Sequence, residues 1–249
     1  MPKLYLSPSL QEENKYVGGG NEEYYMNLIA DEMEPYLTAS GVIFTRNSPD
    51  QTVNQVIAQS NAGAYDLHLA IHSNSAPKIF AGKLQGTDVY YYAQSRNGKK
   101  AAEIIANNFK SIYPMPSMVK TVANTTIPEL RLTRAPAVLI EIAYHDNADD
   151  AKWIRDNISD IAKNLVLSVT EYFGLPFRGP GETTIGTVTT KQGSPLNIRQ
   201  EPTTSSAVLG TIPNGTKIII LGQAGDWYLT RYQGILGYVS GSYVVVSNT

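Results

Sequence analysis

The 249-residue chain contains no cysteine. Disulfides, thiolate zinc sites and cysteine nucleophiles are excluded together, while the redox compartment stays open. Histidine is nearly as scarce, with three residues, so imidazole chemistry must run through His68, His72 or His145. A surplus of one charge is lacking too. The 20 Lys and Arg against 22 Asp and Glu leave a net charge of -2, which speaks against nucleic acid as a partner. There is no long apolar run, and the start Met1-Pro2-Lys3-Leu4 has neither a basic region nor an apolar stretch behind it. No membrane insertion and no signal peptide are expected. A protein made in the cytoplasm that acts outside it then needs non-classical export or release. Tyrosine, by contrast, is abundant, at 16 residues. The clusters Tyr24-Tyr25 and Tyr90-Tyr91-Tyr92 suit half-exposed surfaces such as a carbohydrate or peptide groove.

Strand and helix signals alternate up to about residue 176. Strands are expected at Lys3 to Leu6, Val42 to Thr45, Leu67 to Ile71, Thr87 to Tyr92 and Pro136 to Ala143. Helices are expected from Glu22 to about Leu37, where Met26, Ile29, Ala30, Met33 and Leu37 keep three-and-four spacing, with Pro35 as an early end or kink. Further helices fall over Gln51 to Gly63, Lys99 to Tyr113 and Ala148 to Phe173. Between Pro114 and Pro128 the chain reads as irregular. This order implies an α/β unit with a mostly parallel twisted sheet flanked by helices. Residues 177–186 have linker composition. Residues 187–249 then carry short β-runs separated by Gly, Pro, Asn and Asp turns, as in a small all-β barrel.

The polar residues on the apolar strands carry the chemistry. His68 and His72 share one face of a strand, the face opposite Leu67, Leu69 and Ile71. A histidine at the carboxyl end of a core strand is either a satisfied core residue or a ligand or proton carrier. Glu141 sits inside the most apolar strand. A carboxylate there is costly unless paired, and Arg131, Arg134 or a functional role are the alternatives. His145 lies two residues beyond Ala143 on the same side. Glu22-Glu23 opens a helix, where acidic residues also serve as ordinary dipole partners. A strand-end His, an early-helix Glu and a strand-borne Glu are the parts that a hydrolytic zinc site needs.

These residues fall in ordered blocks. They are Leu6-Ser7-Pro8, Glu23-Tyr-Tyr-Met-Asn27, Gly41-Val42 through Thr45-Arg46-Asn47, Asp66 through Ile71-His72-Ser73-Asn74, Gly86-Thr87-Asp88-Val89-Tyr90-Tyr91, and Pro136-Ala-Val-Leu-Ile-Glu141-Ile-Ala-Tyr144-x-x-Asn147. In this order they resemble the zinc-dependent N-acetylmuramoyl-L-alanine amidases of the type-3 amidase family, which include autolysins and phage endolysins. The resemblance implies a zinc amidase domain over residues 1–176. It implies Glu23 and His72 as zinc ligands and Glu141 as the catalytic carboxylate. The family's first histidine ligand is missing from the loop Ser7 to Asn14. Glu13 is the first candidate for the third ligand and Gln11 the second. His68 or His145 could also contribute a ligand from the same side of the sheet, and His68, His145 and Arg131 are candidates for contacts with substrate or the oxyanion.

Residues 187–249 resemble bacterial SH3 (SH3b) domains through Leu196-Asn197-Ile198-Arg199-x-x-Pro202, Val208-Leu209-Gly210, Gly215, Asp226-Trp227-Tyr228 and Gly237-Tyr238-Val239-Ser240. Trp227, Tyr228 and Tyr238, with Tyr232 and Tyr243, are candidates for a wall-binding surface, or else barrel core. The resemblances together imply a zinc-dependent hydrolase of bacterial peptidoglycan that cuts between N-acetylmuramic acid and L-alanine, released in the manner of a phage or prophage lysin. The alternatives are a degenerate wall-binding protein and a zinc peptidoglycan peptidase.

Overall fold

A computed structural model describes residues 1–181 and 184–247. Glu182 and Thr183 of the expected linker lie outside the described residues, as do Asn248 and Thr249. The chain divides into two compact units. One holds Pro2–Leu37 and Val42–Phe177; the other holds Arg178–Thr249 with Met1 and Thr38–Gly41.

The larger unit is a six-stranded sheet flanked by helices. In chain order its elements are β1 (Lys3–Pro8), α1 (Glu22–Ala39), β2 (Ile43–Arg46), α2 (Val53–Ala62), β3 (Leu67–Asn74), β4 (Thr87–Tyr92), α3 (Arg96–Phe109), β5 (Val119–Asn124), α4 (Pro128–Leu132), β6 (Ala137–Tyr144), α5 (Ala148–Asp156) and α6 (Ile158–Phe173). The strand order is β2-β1-β3-β6-β4-β5. All pairs are parallel except β4 with β6, so the expected mostly parallel sheet holds, with one antiparallel junction.

The two sheet faces differ in depth. Leu4, Leu6, Leu69, Ile71, Val138 and Ile140 point into the main core, where Met26, Ile29, Met33 and Leu37 of α1 and residues of α3, α5 and α6 cover them. The opposite face carries a small cluster of Ala70, Leu130, Ala137 and Leu139 beneath the single turn of α4. A thin cover leaves polar side chains on that face reachable at the strand ends.

Three local differences have physical reasons. Helix α1 runs through Pro35 to Ala39. Pro35 is exposed, so the carbonyl it leaves without a helical donor faces water. Helix α2 begins at Val53 rather than Gln51, because Thr52 forms a capping box with Gln55. The stretch that reads as irregular contains β5 and α4. The Asn124 side chain accepts from the Thr126 and Ile127 backbone N–H groups and turns the chain into α4, which Pro128 opens.

The smaller unit is an all-antiparallel sheet of β7 (Thr184–Val188), β8 (Leu196–Arg199), β9 (Val208–Ile212), β10 (Lys217–Ala224), β11 (Trp227–Tyr232), β12 (Ile235–Ser240) and β13 (Val244–Ser247). Ile198, Ile212, Ile218, Ile220 and Val239 form its core, with Tyr228 and Tyr232 packed against it. Gly237 is required by packing: a Cβ there would stand 2.5 Å from Ile198 Cγ2 and 2.7 Å from the Arg199 carbonyl.

Candidate active site

A loop, a helix start and two neighbouring strands build one polar pocket at the edge of the sheet. The loop Tyr16 to Gly20 turns back on itself through Tyr16 N–H to Gly20 O at 3.1 Å. Gly18, Gly19 and Gly20 all hold positive φ, a conformation that favours glycine. The turn pairs Lys15 with Asn21 and brings Asn14 beside the first residue of α1. On the sheet, His72 of β3 is the register partner of Glu141 of β6, which in turn pairs with Asp88 of β4.

Glu22, rather than Glu23, enters the pocket. Its Oε1 lies 2.8 Å from His72 Nδ1, and its Oε2 accepts from Asn14 Nδ2 at 2.6 Å. The reason is helical phase. Glu22 lies on the same stripe as Met26, Ile29, Met33 and Leu37, all fully buried. Glu23 sits one residue, about 100°, around the helix and is half-buried. The Glu-x-x-x-Asn spacing points to Glu23, but Asn27 is engaged elsewhere, with its Oδ1 accepting from Arg46 at 2.6 Å.

Gln11 also reaches His72. Its side-chain amide stands 3.2 Å from His72 Nδ1, and its Oε1 accepts from Asn14 at 2.9 Å. Glu13 is exposed, in the turn that leads to Asn14, and does not take that place. Among the described residues no group of three His, Cys, Asp or Glu converges as a preformed metal site; Glu22 and the Gln11 amide both stand against His72 Nδ1.

A further carboxylate, Glu129 of α4, lies behind His72. Its Oε2 accepts from Ser7 Oγ and meets His68 Nε2, each at 2.8 Å. Its Oε1 is 3.8 Å from His72 Nε2. His68 is fully buried. Its Nδ1 meets Ser60 Oγ at 3.0 Å, so both ring nitrogens are engaged inside the protein, away from any substrate. His145 is likewise buried, stacked on Tyr16, with Nδ1 3.0 Å from the Ser73 carbonyl and 4.0 Å from Glu22 Oε2. Arg131 projects from the other side of α4, where it lines a separate groove of about 540 Å³ with Arg96 and Arg134. Neither Arg131 nor Arg134 is brought to Glu141.

The electrostatics follow from this crowding. Burial disfavours charge on Glu22, but His72 and the Asn14 amide outweigh it and hold the carboxyl below its usual range. Burial works against the imidazolium of His72 too, yet the adjacent carboxylates of Glu129 and Glu22 push its pKa up to about 10. Glu129 is buried, but its contacts with His68 and His72 keep it well below the usual carboxylate range. Glu141 behaves oppositely. Burial pushes it up to about 7 despite the nearby His72 charge, and its Oε2 is buried without a hydrogen-bond partner. Glu22, Glu129 and Glu141 thus face one imidazolium. That surplus of negative charge, with an unpartnered carboxylate oxygen, suits a divalent cation beside His72.

Comparison with known proteins gives the family of each unit. Residues 11–171 match the family model of N-acetylmuramoyl-L-alanine amidases, and residues 194–245 match that of the bacterial SH3 domain. The first match covers well over half of the chain, and the chain belongs to the N-acetylmuramoyl-L-alanine amidase family. It is 27% identical over 163 residues to the N-acetylmuramoyl-L-alanine amidase LytC of Bacillus subtilis (strain 168). The matched segment is 62% of this chain and 32% of LytC, so the chain spans about a third of the length of that curated relative. Among solved structures, AmiC2 of Nostoc punctiforme is 17% identical with a TM-score of 0.61, over 70% of this chain and 97% of that one. The catalytic domain of CwlV from Bacillus (Paenibacillus) polymyxa var. colistinus is 18% identical with a TM-score of 0.61, over 71% and 100%. The catalytic domain of the CD27L endolysin is 21% identical with a TM-score of 0.57, over 69% and 98%. These likenesses are ones of fold.

Glu129 and Asp88 were missed by the sequence reading. Asp88 is buried beside Glu141, with Lys120 Nζ at 3.4 Å and Tyr90 OH at 3.3 Å. The signal for Glu22 was present in the phase of the α1 stripe. The signal for Glu129 was a carboxylate next to Leu130 just after Pro128, but it depended on recognising α4.

In the smaller unit, Trp227 and Tyr243 line a groove of about 350 Å³ with Asn197 and Arg199. Tyr228 and Tyr232 pack against the core. Tyr238 is the register partner of Arg199 and is not among the residues lining that groove. Among the described residues no helix is long and apolar enough to cross a membrane.

Proposed function

We propose that the chain is a zinc-dependent peptidoglycan hydrolase that cleaves the amide between N-acetylmuramic acid and L-alanine, with its bacterial SH3 unit binding the cell wall. The observation that carries this reading is the Glu22–His72 pair with the partnerless Glu141 oxygen beside it, set on the sheet of an amidase family member. Glu22 and His72 would hold the ion, with Gln11, its amide turned so that Oε1 rather than Nε2 faces His72, as a neutral third ligand. A neutral amide in place of a neutral imidazole leaves the net charge of the ligand set at -1. The ion therefore keeps more of its Lewis acidity than it would with Glu13 as a second carboxylate ligand, although amide oxygen is the weaker donor.

Bound there, zinc supplies Lewis acidity toward a water and the scissile carbonyl. Glu141 takes the proton of the attacking water. As the carbon–nitrogen bond breaks, it delivers that proton to the departing L-alanine amine. A carboxyl with a pKa of about 7 is matched to both halves of that transfer. A groove of about 460 Å³ along Pro8, Gln11, Thr52, Val53 and His72 gives the substrate a path to the pocket. Digestion of purified walls by zinc-loaded protein tests the reading. Free L-alanine amino termini without new reducing sugar support the amidase. New termini elsewhere in the peptide support a peptidase. The absence of a histidine from the loop Ser7 to Asn14 favours one further reading, a wall-binding protein without turnover; unchanged walls with binding retained would support it.

A further inference from the structure

Glu129 is the best-anchored acidic residue of the pocket and has no place in the reaction as written. It is 7% exposed. Its helix is pinned at both ends: the Asn124 side chain caps the entry, and Thr133 Oγ donates to the Glu129 carbonyl at 2.6 Å. Leu130 beside it is buried against Ala70 and Leu139. The carboxylate is held as firmly as the backbone. Ser7 Oγ and His68 Nε2 both bind Oε2. His68 is in turn fixed by Ser60 and by stacking on Tyr5, with ring centroids 5.1 Å apart. With both donors on one oxygen, Oε1 remains for His72 Nε2.

We infer that Glu129 is a positioning residue for His72: its Oε1 faces Nε2 and holds the hydrogen on that nitrogen as its acceptor, so that the Nδ1 lone pair is presented to the cation beside Glu22 and Gln11. This rests on the metal-binding reading above. The physical logic is that an ionised carboxylate only accepts. A neutral imidazole that donates from Nε2 to Glu129 must carry its free pair on Nδ1, the atom 2.8 Å from Glu22. A metal-binding histidine generally gives its other N–H to a carboxylate, carbonyl or water, and losing that partner typically lowers metal affinity by about 10- to 100-fold. Ser7, His68 and Ser60 form the outer part of the same support. This accounts for two buried polar groups, His68 and Ser7, whose side chains are both held by Glu129 Oε2.

Two measurements on the full chain test the inference. The first is zinc affinity by competition with a chromogenic chelator, for wild type, Glu129→Gln and Glu22→Gln. Glu129→Gln keeps the shape and can still accept from Ser7 and His68, but it offers His72 an amide N–H in place of a carboxylate. A loss of about 10- to 100-fold is expected in a variant whose metal-free form still unfolds cooperatively, at a lower temperature because the charged contacts with His68 and His72 are gone. The second needs no variant. Nitrogen-15 NMR of the imidazoles in the zinc-loaded protein, with only three histidines to assign, should show His72 protonated on Nε2 and metal-bound through Nδ1. Wild-type affinity in Glu129→Gln while Glu22→Gln loses zinc, or zinc on Nε2 of His72, overturns the role of Glu129 and leaves the metal reading standing. If wild type takes up no zinc, the metal reading falls and this inference falls with it.

Discussion

Glu22 Oε1 and His72 Nδ1 stand 2.8 Å apart, joining the first turn of α1 to the end of β3 across 50 residues of sequence. The pair makes a choice between two adjacent glutamates that the motif spacing assigns the other way. Glu22→Ala should lower wall hydrolysis by at least about 100-fold, the scale seen for loss of one transition-state stabilising group. Glu23→Ala should change it less than about threefold, as expected of a surface substitution worth under ~0.5 kcal/mol. Rates of soluble product release from purified walls decide between them.

Gln11 stands where a stronger ligand would serve. Gln11→His should raise zinc affinity by about tenfold or more, since imidazole nitrogen is a better zinc ligand than amide oxygen. Glu13→Ala should leave affinity unchanged, because Glu13 is exposed. Chelator competition on both variants checks the pair of outcomes.

Glu141 should make activity and stability respond to pH in opposite senses. The proposed base acts when deprotonated, so hydrolysis should rise with pH and reach half its plateau near 7 before any shift from bound metal. The folded carboxyl binds its proton more tightly than the unfolded one. Its contribution is therefore fully favourable below the ordinary carboxylate range, is lost as pH rises toward 7, and stays lost above it. Glu141→Gln should abolish turnover, leave wall binding intact and stabilise the metal-free protein at pH 8 by about 1–3 kcal/mol. Denaturant unfolding at pH 5 and pH 8 reads the difference, which should fall to about a quarter at the lower pH.

The groove of the bacterial SH3 unit offers a separate test. Trp227→Ala should weaken retention on purified walls by about tenfold or more, the usual effect of removing a central aromatic anchor worth ~2 kcal/mol. Tyr228→Ala should instead lower the stability of the unit, since Tyr228 packs on its core. Cosedimentation with walls and thermal unfolding separate the two effects.

Alternation of apolar strands with amphipathic helices was enough to define the α/β unit, its mostly parallel sheet and the change to short β-strands after the linker. It also placed His72 and Glu141 on strand ends, because period-two alternation leaves few other faces for a polar residue in an apolar run. The α1 stripe carried the phase that selects Glu22, although the motif spacing pointed elsewhere. Only the tertiary structure decided what reaches the pocket from a distance. Gln11 arrives on a loop whose path is set by the glycine turn at 18–20. Glu129 arrives on a five-residue helix too short to announce itself by periodicity. Arg131, two residues away, leaves α4 on the opposite side. Local pattern reports which face of an element is apolar, but the third ligand position and the support behind His72 are made by contacts between segments 61 to 122 residues apart, and no local rule encodes those.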